Sequence, residues 1–252
     1  MILSLKNKIV IFILLFYMAL SIQAKEENDK EKKAYSSSTS FSLLMTSGNT
    51  QELTLGLDTE HNLELDKNQI QFKGSIIYSK SNEEKGSEIY YSHLEYKRSI
   101  FSRAYLLGFG RVERNVPSGY KYRLAISGGA GYVWTKSEKL ELSSEITLGL
   151  SKENNLKKDK EAELHSSFAS SLISSRLKIK ISSNSELSLH EIFFINLDNT
   201  NDYRLSSLGS LSVNISSYIA LKISHQLKYN HQPVPGFKST DQYLLTSLVL
   251  NF

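Results

Sequence analysis

The chain of 252 residues contains no cysteine, only three prolines and a single tryptophan. The absence of cysteine excludes a disulfide framework, a thiolate metal site and a catalytic cysteine. The prolines, at positions 117, 233 and 235, fall between alternating segments, where a missing N–H removes no hydrogen bond from a sheet. After residue 24 there is neither an apolar run long enough for a transmembrane helix nor any helical periodicity.

A large excess of charge of one sign is also missing. Without residues 1–24, which contain two lysines and no acidic residue, 28 basic and 26 acidic residues remain. This near balance gives no electrostatic argument for a nucleic-acid partner.

The first 24 residues have the features of a secretory signal peptide. Lys6 and Lys8 precede an apolar run over residues 9–20, and Ala24 offers a small residue for cleavage. We therefore predict that the chain is exported from the cytoplasm. We assign residues 1–24 to the signal peptide, 25–38 to a flexible polar segment and 39–252 to the folded domain.

The rest of the chain repeats one pattern, in which apolar and polar residues alternate with a period of two. The clearest example is the segment from Tyr120 to Trp134, where even-numbered positions carry apolar residues flanked by aromatic ones. Such a face is typical of a membrane β-strand with an aromatic girdle at each end. A soluble β-sandwich or lipocalin-like barrel also alternates, but it buries its apolar face.

The alternating segments number about twelve, which predicts an all-β fold: a transmembrane antiparallel β-barrel. Short connections alternate with longer polar ones, as expected for periplasmic turns and outer loops. The predicted strands are 36–47, 50–65, 69–80, 86–99, 103–114, 120–135, 139–152, 160–181, 184–197, 202–215, 219–231 and 240–252.

Two places disturb the pattern. The apolar positions change from even (Phe168, Leu172) to odd (Leu177) around Ser174-Ser175, which indicates either a bulge or a turn. Glu191 and His225 fall on the apolar face, where a charge is costly near the middle of a membrane. Either they lie near a membrane surface or the register slips there.

The last segment ends in an aromatic residue. Leu248, Leu250 and Phe252 share one face, which we interpret as the barrel-assembly signal of an outer-membrane protein, while Ser247 and Asn251 point inward. To remove both sheet edges, this strand is expected to pair with the first one near Phe41-Leu43-Met45.

Two short motifs resemble those of a known family. Thr46-Ser47-Gly48-Asn49-Thr50 and the segment from Pro233 to Asp241 are similar to motifs of the salt-induced outer-membrane proteins, which carry a YdiY-like domain of unknown function. The resemblance covers about residues 40–252. It implies an outer-membrane barrel and no particular activity.

The sequence predicts no catalytic residue, no metal ligand and no cofactor. The six histidines are scattered, and no Gly-x-Ser-x-Gly motif is present. Serines close to His165, His190 and His225 keep an outer-membrane lipid hydrolase open as a less favoured alternative.

The inward-facing charged residues are the main functional candidates. They form either a charged constriction in a narrow, poorly selective channel or a mutually neutralised lumen of a structural, envelope-integrity or adhesive barrel. Charges of both signs on neighbouring strands, such as Lys121 and Arg123 beside Glu141 and Glu145, suggest internal ion pairs. The expected partners are outer-membrane lipids, the barrel-assembly machinery and small solutes. Lys97 and Lys228 are also expected to face inward. The predicted lumen residues are Glu52, Asp58, Glu60, Lys73, Glu95, Lys121, Arg123, Glu141, Glu145, Arg204 and Lys222.

Overall fold

The computed structural model describes residues 33–47, 53–78, 88–156 and 164–252. Within these ranges no helix is long and apolar enough to cross a membrane. The strands are β1 (Lys33–Ser47), β2 (Leu53–Leu65), β3 (Asn68–Tyr78), β4 (Glu88–Ser99), β5 (Ala104–Asn115), β6 (Tyr120–Lys136), β7 (Leu140–Asn155), β8 (Leu164–Lys180), β9 (Ser185–Asn196), β10 (Tyr203–Asn214), β11 (Ile219–Asn230) and β12 (Thr240–Asn251).

The twelve strands form a single closed antiparallel barrel, as predicted. Each strand pairs with its neighbours in the sequence, and β1 pairs with β12 to close the sheet. This seam places Phe41 opposite Leu248 and Leu43 opposite Thr246, which confirms the predicted pairing. The N–H and C=O groups of Phe252 extend the seam by bonding the backbone of Ser37, at 2.9 and 3.0 Å. No edge is left along this seam.

The two faces of the sheet differ as the period of two requires. Outward-facing Ile126 and Leu150 are more than 70% exposed, whereas inward-facing Thr147 is 2% exposed. On β12, Leu248 is exposed and Ser247 is buried, as the sequence predicted. The fold therefore has an apolar exterior and a polar interior, which is the distribution expected of a membrane barrel.

The two ends of the barrel are unlike. β1 begins and β12 ends at what we call the terminus end, which also carries the short connections 66–67, 100–103, 137–139, 181–184 and 215–218. The opposite end, which we call the loop end, carries the connections 116–119, 197–202 and 231–239.

The predicted beginning of the barrel requires a correction. β1 begins at Lys33, so residues 33–38 belong to a strand and not to the flexible polar segment 25–38. They are drawn into the sheet because their backbone pairs with residues 60–65 of β2. The predicted signal peptide and the connection at 48–52 lie outside the described residues.

Strand β8 resolves the ambiguity at Ser174-Ser175. It is continuous, and its pairing with β7 and β9 shows neither a bulge nor a turn. The register is therefore constant, and Phe168 is buried at 7% exposure on the inner face instead of lying on the apolar outer face. Glu191 and His225 also lie in uninterrupted pairing, so no register slip moves them off the outer face.

The register shifts instead at both ends of β6. In the pairing of β6 with β7, the register shifts between Tyr120 and Tyr122 and again between Val133 and Thr135. In the pairing of β5 with β6, it shifts between Glu113 and Asn115. Tyr120 was expected on the outer face with the other even-numbered residues. The bulge turns it inward, where it is 4% exposed.

Removing Phe252 is expected to impair barrel closure. Two backbone hydrogen bonds to Ser37 are lost, and each contributes roughly 1 kcal/mol. The measurement is the folded fraction of the refolded chain, from the gel-mobility difference between boiled and unboiled samples. Phe101→Ala, which truncates an exposed aromatic residue in a turn at the same end, is the control. Equal folding of the truncated and control chains would contradict this role.

Candidate functional site

The predicted lumen residues lie on the inner face wherever their position can be judged. Glu52 is outside the described residues, and Lys121 lies at the bulge of β6, where its carbonyl accepts a hydrogen bond from Arg114. The inner face carries Asp58, Glu60, Lys73, Glu95, Arg123, Glu141, Glu145, Arg204 and Lys222.

Near the terminus end, one carboxylate gathers four donors. Glu145 Oε1 lies 2.6 Å from Lys97 Nζ, 2.8 Å from the Tyr105 hydroxyl and 3.4 Å from Arg176 Nη1. Its Oε2 accepts a hydrogen bond from Ser174 at 3.2 Å. Lys97 also pairs with a second carboxylate at 3.0 Å. We call this network the Glu145 cluster; its members are Glu95, Lys97, Tyr105, Glu145, Ser174 and Arg176.

The Glu145 cluster spans strands that are not neighbours. Lys97 is on β4 and Glu145 is on β7, with β5 and β6 between them. Between them, β6 has no side chain projecting inward at Gly129 and Gly131. A Cβ added at Gly131 would overlap the ring of Tyr105, so the missing side chain lets this ring lie across β6 towards Glu145. The side chains of Lys97 and Tyr105 therefore extend across β6 to Glu145 on the lumen side of the sheet.

Towards the loop end, a second network surrounds Arg204. Its guanidinium donates to both oxygens of Glu153 and to Asp202, and it lies 4.8 Å from the centre of the Phe194 ring and 5.5 Å from that of Tyr120. We call these five residues the Arg204 cluster. Four of them, all except Phe194, line a cavity of about 290 Å³ beneath the loop end.

Another arginine links this network to the middle of the lumen. Arg123 Nη2 donates to Glu113 at 2.7 Å and stacks 4.0 Å from the centre of the Tyr120 ring. The predicted proximity of Arg123 to Glu145 is wrong, because the register of β6 and β7 places Arg123 opposite Glu153 and Gly131 opposite Glu145. The two charges lie in opposite halves of the barrel.

Residues 231–239 fold over the cavity. Val234 is 4% exposed, and Asn230 Nδ2 donates to the Tyr120 hydroxyl at 2.8 Å. Gly119 has a positive φ of 85°, and a Cβ there would lie 2.9 Å from both the Phe237 ring and the Cβ of Val234. The connections 116–119 and 231–239 thus interlock and narrow the opening at the loop end.

Serine side chains form hydrogen bonds between neighbouring strands on the inner face of β10, β11, β12 and β1. Ser210 bonds Ser224 at 2.8 Å, and Ser42 bonds Ser247 at 3.0 Å. Ser42 also donates to Asp58 at 3.1 Å. These short hydroxyl side chains share the inner face with longer ones, among them Arg204 on β10 and Lys228 on β11, whose ammonium group lies 4.0 Å from Glu113 of β5.

Several residues of these ion-pair networks were not among the lumen residues predicted from the sequence. Tyr105, Glu113, Glu153, Arg176 and Asp202 all point inward, and the first four have the inward parity of their strands. Arg176 was obscured by the misassigned register at Ser174. Asp202 precedes β10, where no alternation exists to reveal its direction.

Two of the three histidines considered for hydrolysis, His190 and His225, have hydrogen-bond partners other than serine. His190 Nε2 lies 3.4 Å from Arg176 Nε, and His225 Nε2 lies 3.3 Å from Gln242. Within residues 33–47, 53–78, 88–156 and 164–252, no group of three or more His, Asp or Glu side chains is placed to hold a metal ion.

Comparison with known proteins identifies a family and a fold. The sequence profile of a family described as "Protein of unknown function, DUF481" matches residues 39–252. No curated protein matches the chain. Among solved structures, the NanC porin is similar with a TM-score of 0.58 and 7% identity, over 84% of this chain and 98% of that one.

Other outer-membrane barrels are similar at lower scores. The KdgM porin, solved with disordered oligogalacturonate, has a TM-score of 0.49 and 7% identity over 85% of this chain and 99% of its own. The translocator domain of the autotransporter NalP from Neisseria meningitidis has a TM-score of 0.49 and 9% identity, with 98% of each chain covered.

Gly131→Ala is expected to displace Tyr105 from Glu145. The added methyl group occupies the path of the ring, and the lost hydrogen bond to a carboxylate costs about 1 to 3 kcal/mol. The free energy of unfolding in urea measures the loss. Gly128→Ala is the matched control, because the nearest atom to its Cβ, the Leu107 carbonyl oxygen, is 3.6 Å away.

A double-mutant cycle with Tyr105→Phe sharpens this test. If both changes remove the same hydrogen bond, the double variant loses less stability than the sum of the two single variants. Additive losses, or equal losses for Gly131→Ala and Gly128→Ala, would contradict the proposed path of the Tyr105 ring.

Proposed function

We propose that this chain, which belongs to the DUF481 family of proteins of unknown function, is a narrow, poorly selective outer-membrane channel for small solutes. The proposal is based on the side chains that line its lumen. The observation that carries the proposal is the Glu145 cluster. Its Lys97–Glu145 pair, 2.6 Å long, joins non-adjacent strands and places charge in the lumen. A charged constriction of this kind limits the size of what passes.

The two signs of charge in the lumen support weak selectivity. The Glu145 cluster holds two carboxylates, one lysine and one arginine, and the Arg204 cluster holds two carboxylates and one arginine. A permeating ion of either sign thus meets both attractive and repulsive groups. Such a lining discriminates between anions and cations less than a ring of one sign does.

The dimensions of the barrel favour small solutes. About eight strands leave an interior that side chains fill, and sixteen leave a wide aqueous channel, so twelve are intermediate. Here the space is reduced further, by the Glu145 cluster near the terminus end and by residues 231–239 at the loop end.

The cellular setting follows from the same fold. We propose that residues 1–24 direct export, that the terminus end faces the periplasm and that the apolar exterior contacts outer-membrane lipids after insertion by the barrel-assembly machinery. The exposed aromatic residues Tyr132, Trp134 and Tyr218 all lie towards the terminus end, where they would mark one membrane surface.

A non-conducting structural barrel is the second candidate. It is favoured by Val234, which is 4% exposed beneath the loop end, and by the packing of Gly119 against Phe237. If these contacts persist in the membrane, they close the lumen and leave the outer connections as the functional surface.

Planar-bilayer conductance of the refolded protein separates the two candidates. The channel predicts a small conductance with little preference for cations or anions. Glu145→Gln is expected to increase the conductance and to shift selectivity towards anions, because Lys97 and Arg176 lose their shared carboxylate. Glu138→Gln, an identical change in an exposed turn, is expected to leave both properties unchanged.

The outcomes of this measurement are distinct. Absence of conductance in wild type and in Glu145→Gln, at all voltages, would overturn the channel. Conductance that appears only in the variant would identify a closed, structural lumen. Equal conductance and selectivity of wild type and Glu145→Gln would show that the Glu145 cluster does not set the constriction.

The connection 231–239 is expected to restrict the loop end. Val234→Ala combined with Phe237→Ala removes its contacts with Gly119 and should increase conductance without changing ion preference, because no charge is altered. Thr200→Ala, an uncharged change in an exposed part of another loop-end connection, is the control. An unchanged conductance in the double variant would exclude this connection as a restriction.

A further inference from the structure

Polar side chains cross the outer face of β7 to β12, where apolar residues are expected. Three successive cross-strand pairs join Ser144 to Ser175, Ser175 to Glu191 and Glu191 to Ser207. Beyond them, His225 and Gln242 continue the polar surface, 3.3 Å apart. We call these six residues the outer polar row: Ser144, Ser175, Glu191, Ser207, His225 and Gln242.

The outer polar row is set within apolar surface. On β9, Glu191 lies between Leu189 and Phe193 on the outer face, and Leu189 is 37% exposed. On β11, His225 lies between Ile223 and Leu227, which are 47% and 36% exposed. These residues therefore interrupt the apolar exterior and do not form part of a polar rim.

The two charged or chargeable members lie near the middle of the barrel. Glu191 is the seventh residue of β9 from the terminus end, and His225 is the seventh residue of β11 from the same end. At 3.3 Å per residue and a tilt of about 40°, both lie roughly 15 Å above the strand starts. An apolar band is about 25 Å tall, so this height is close to its centre.

Contact with lipid would leave these groups poorly solvated. Ser207 donates to Glu191 Oε1 at 2.6 Å, and within the described residues no basic side chain forms an ion pair with Glu191. A carboxylate in hydrocarbon requires further hydrogen-bond donors. A protein surface that supplies a donor at this height would remove the cost.

The arrangement of the row is complementary to itself. Glu191 and His225 lie at equal height on the strands either side of β10, whose outward residue Gly209 pairs with His225. A two-fold axis along the membrane normal, passing at β10, would place Glu191 of each copy opposite His225 of the other. A Cβ at Gly209 would meet only Leu189, at 3.9 Å, so the barrel itself leaves room for a side chain there.

We propose that the outer polar row binds a second copy of this chain in the outer membrane, through reciprocal contacts between Glu191 and His225. Gly209 lies at the axis, where the absence of a side chain permits the two sheets to approach closely. The inference rests on the proposed membrane location but not on conduction, since either an open or a closed barrel can form this dimer.

The cysteine-free chain permits a direct test. Gly209→Cys places one thiol at the proposed axis, and oxidation of outer membranes containing the full-length variant should give a disulfide-linked dimer. Gly110→Cys is the matched control, because it lies on the outer face of β5, where an added Cβ meets no atom within 4 Å.

Charge variants distinguish a specific dimer from random collision. In the Gly209→Cys background, Glu191→Leu should reduce the cross-linked fraction severalfold, and the exchange Glu191→His with His225→Glu should restore it. The gel-mobility difference between boiled and unboiled samples verifies that each variant folds.

Three results would overturn the proposal. Cross-linking of Gly209→Cys that does not exceed that of Gly110→Cys would exclude this face as the dimer contact. A product containing a different protein would assign the row to another partner. Cross-linking that survives Glu191→Leu unchanged would exclude the contact between Glu191 and His225. None of these results depends on conductance, so the dimer and the channel are tested separately.

Discussion

In hydrocarbon, each backbone N–H or C=O group without a hydrogen bond costs several kcal/mol. The pairing of β1 with β12 is where this chain meets that requirement, because the two strands would otherwise be the edges of a long sheet. The ladder runs from Ser47 opposite Gln242 to Ser38 opposite Asn251, and the backbone of Phe252 continues it to Ser37. Closure then fixes which side chains face the lumen and which face outward.

The lumen that results is not uniform. Long charged side chains of β4, β7 and β8 meet in the Glu145 cluster, while on β10, β11, β12 and β1 serines form hydrogen bonds between neighbouring strands. Glycines on the inner face of β6 allow Tyr105 and Lys97 to reach Glu145, so a local absence of side chains creates a contact across four strands. The same use of small residues recurs at Gly119, where two loop-end connections meet.

Much of this fold was accessible from the sequence, because membrane strands alternate strictly and the register of one strand constrains the next. The strand number and the inward direction of Glu95, Glu145 and Arg204 followed from the alternation, and the seam followed from the need to remove both sheet edges. Parity failed at Tyr120, since a bulge reverses the face without any change in the residue pattern. It also failed at Phe168, because an apolar residue packed inside the lumen has the same appearance as one that contacts lipid.

Which charges meet was not predictable, because ion pairs depend on how far each side chain reaches across a curved wall. Lys97 and Glu145 are 48 positions apart and on non-adjacent strands, and no local pattern relates them. Liposome swelling with neutral solutes of graded size tests most directly whether this contact sets the width of the lumen. We expect a low size limit in wild type that rises when Lys97 is replaced by methionine. An unchanged limit, with the variant folded and inserted, would contradict it.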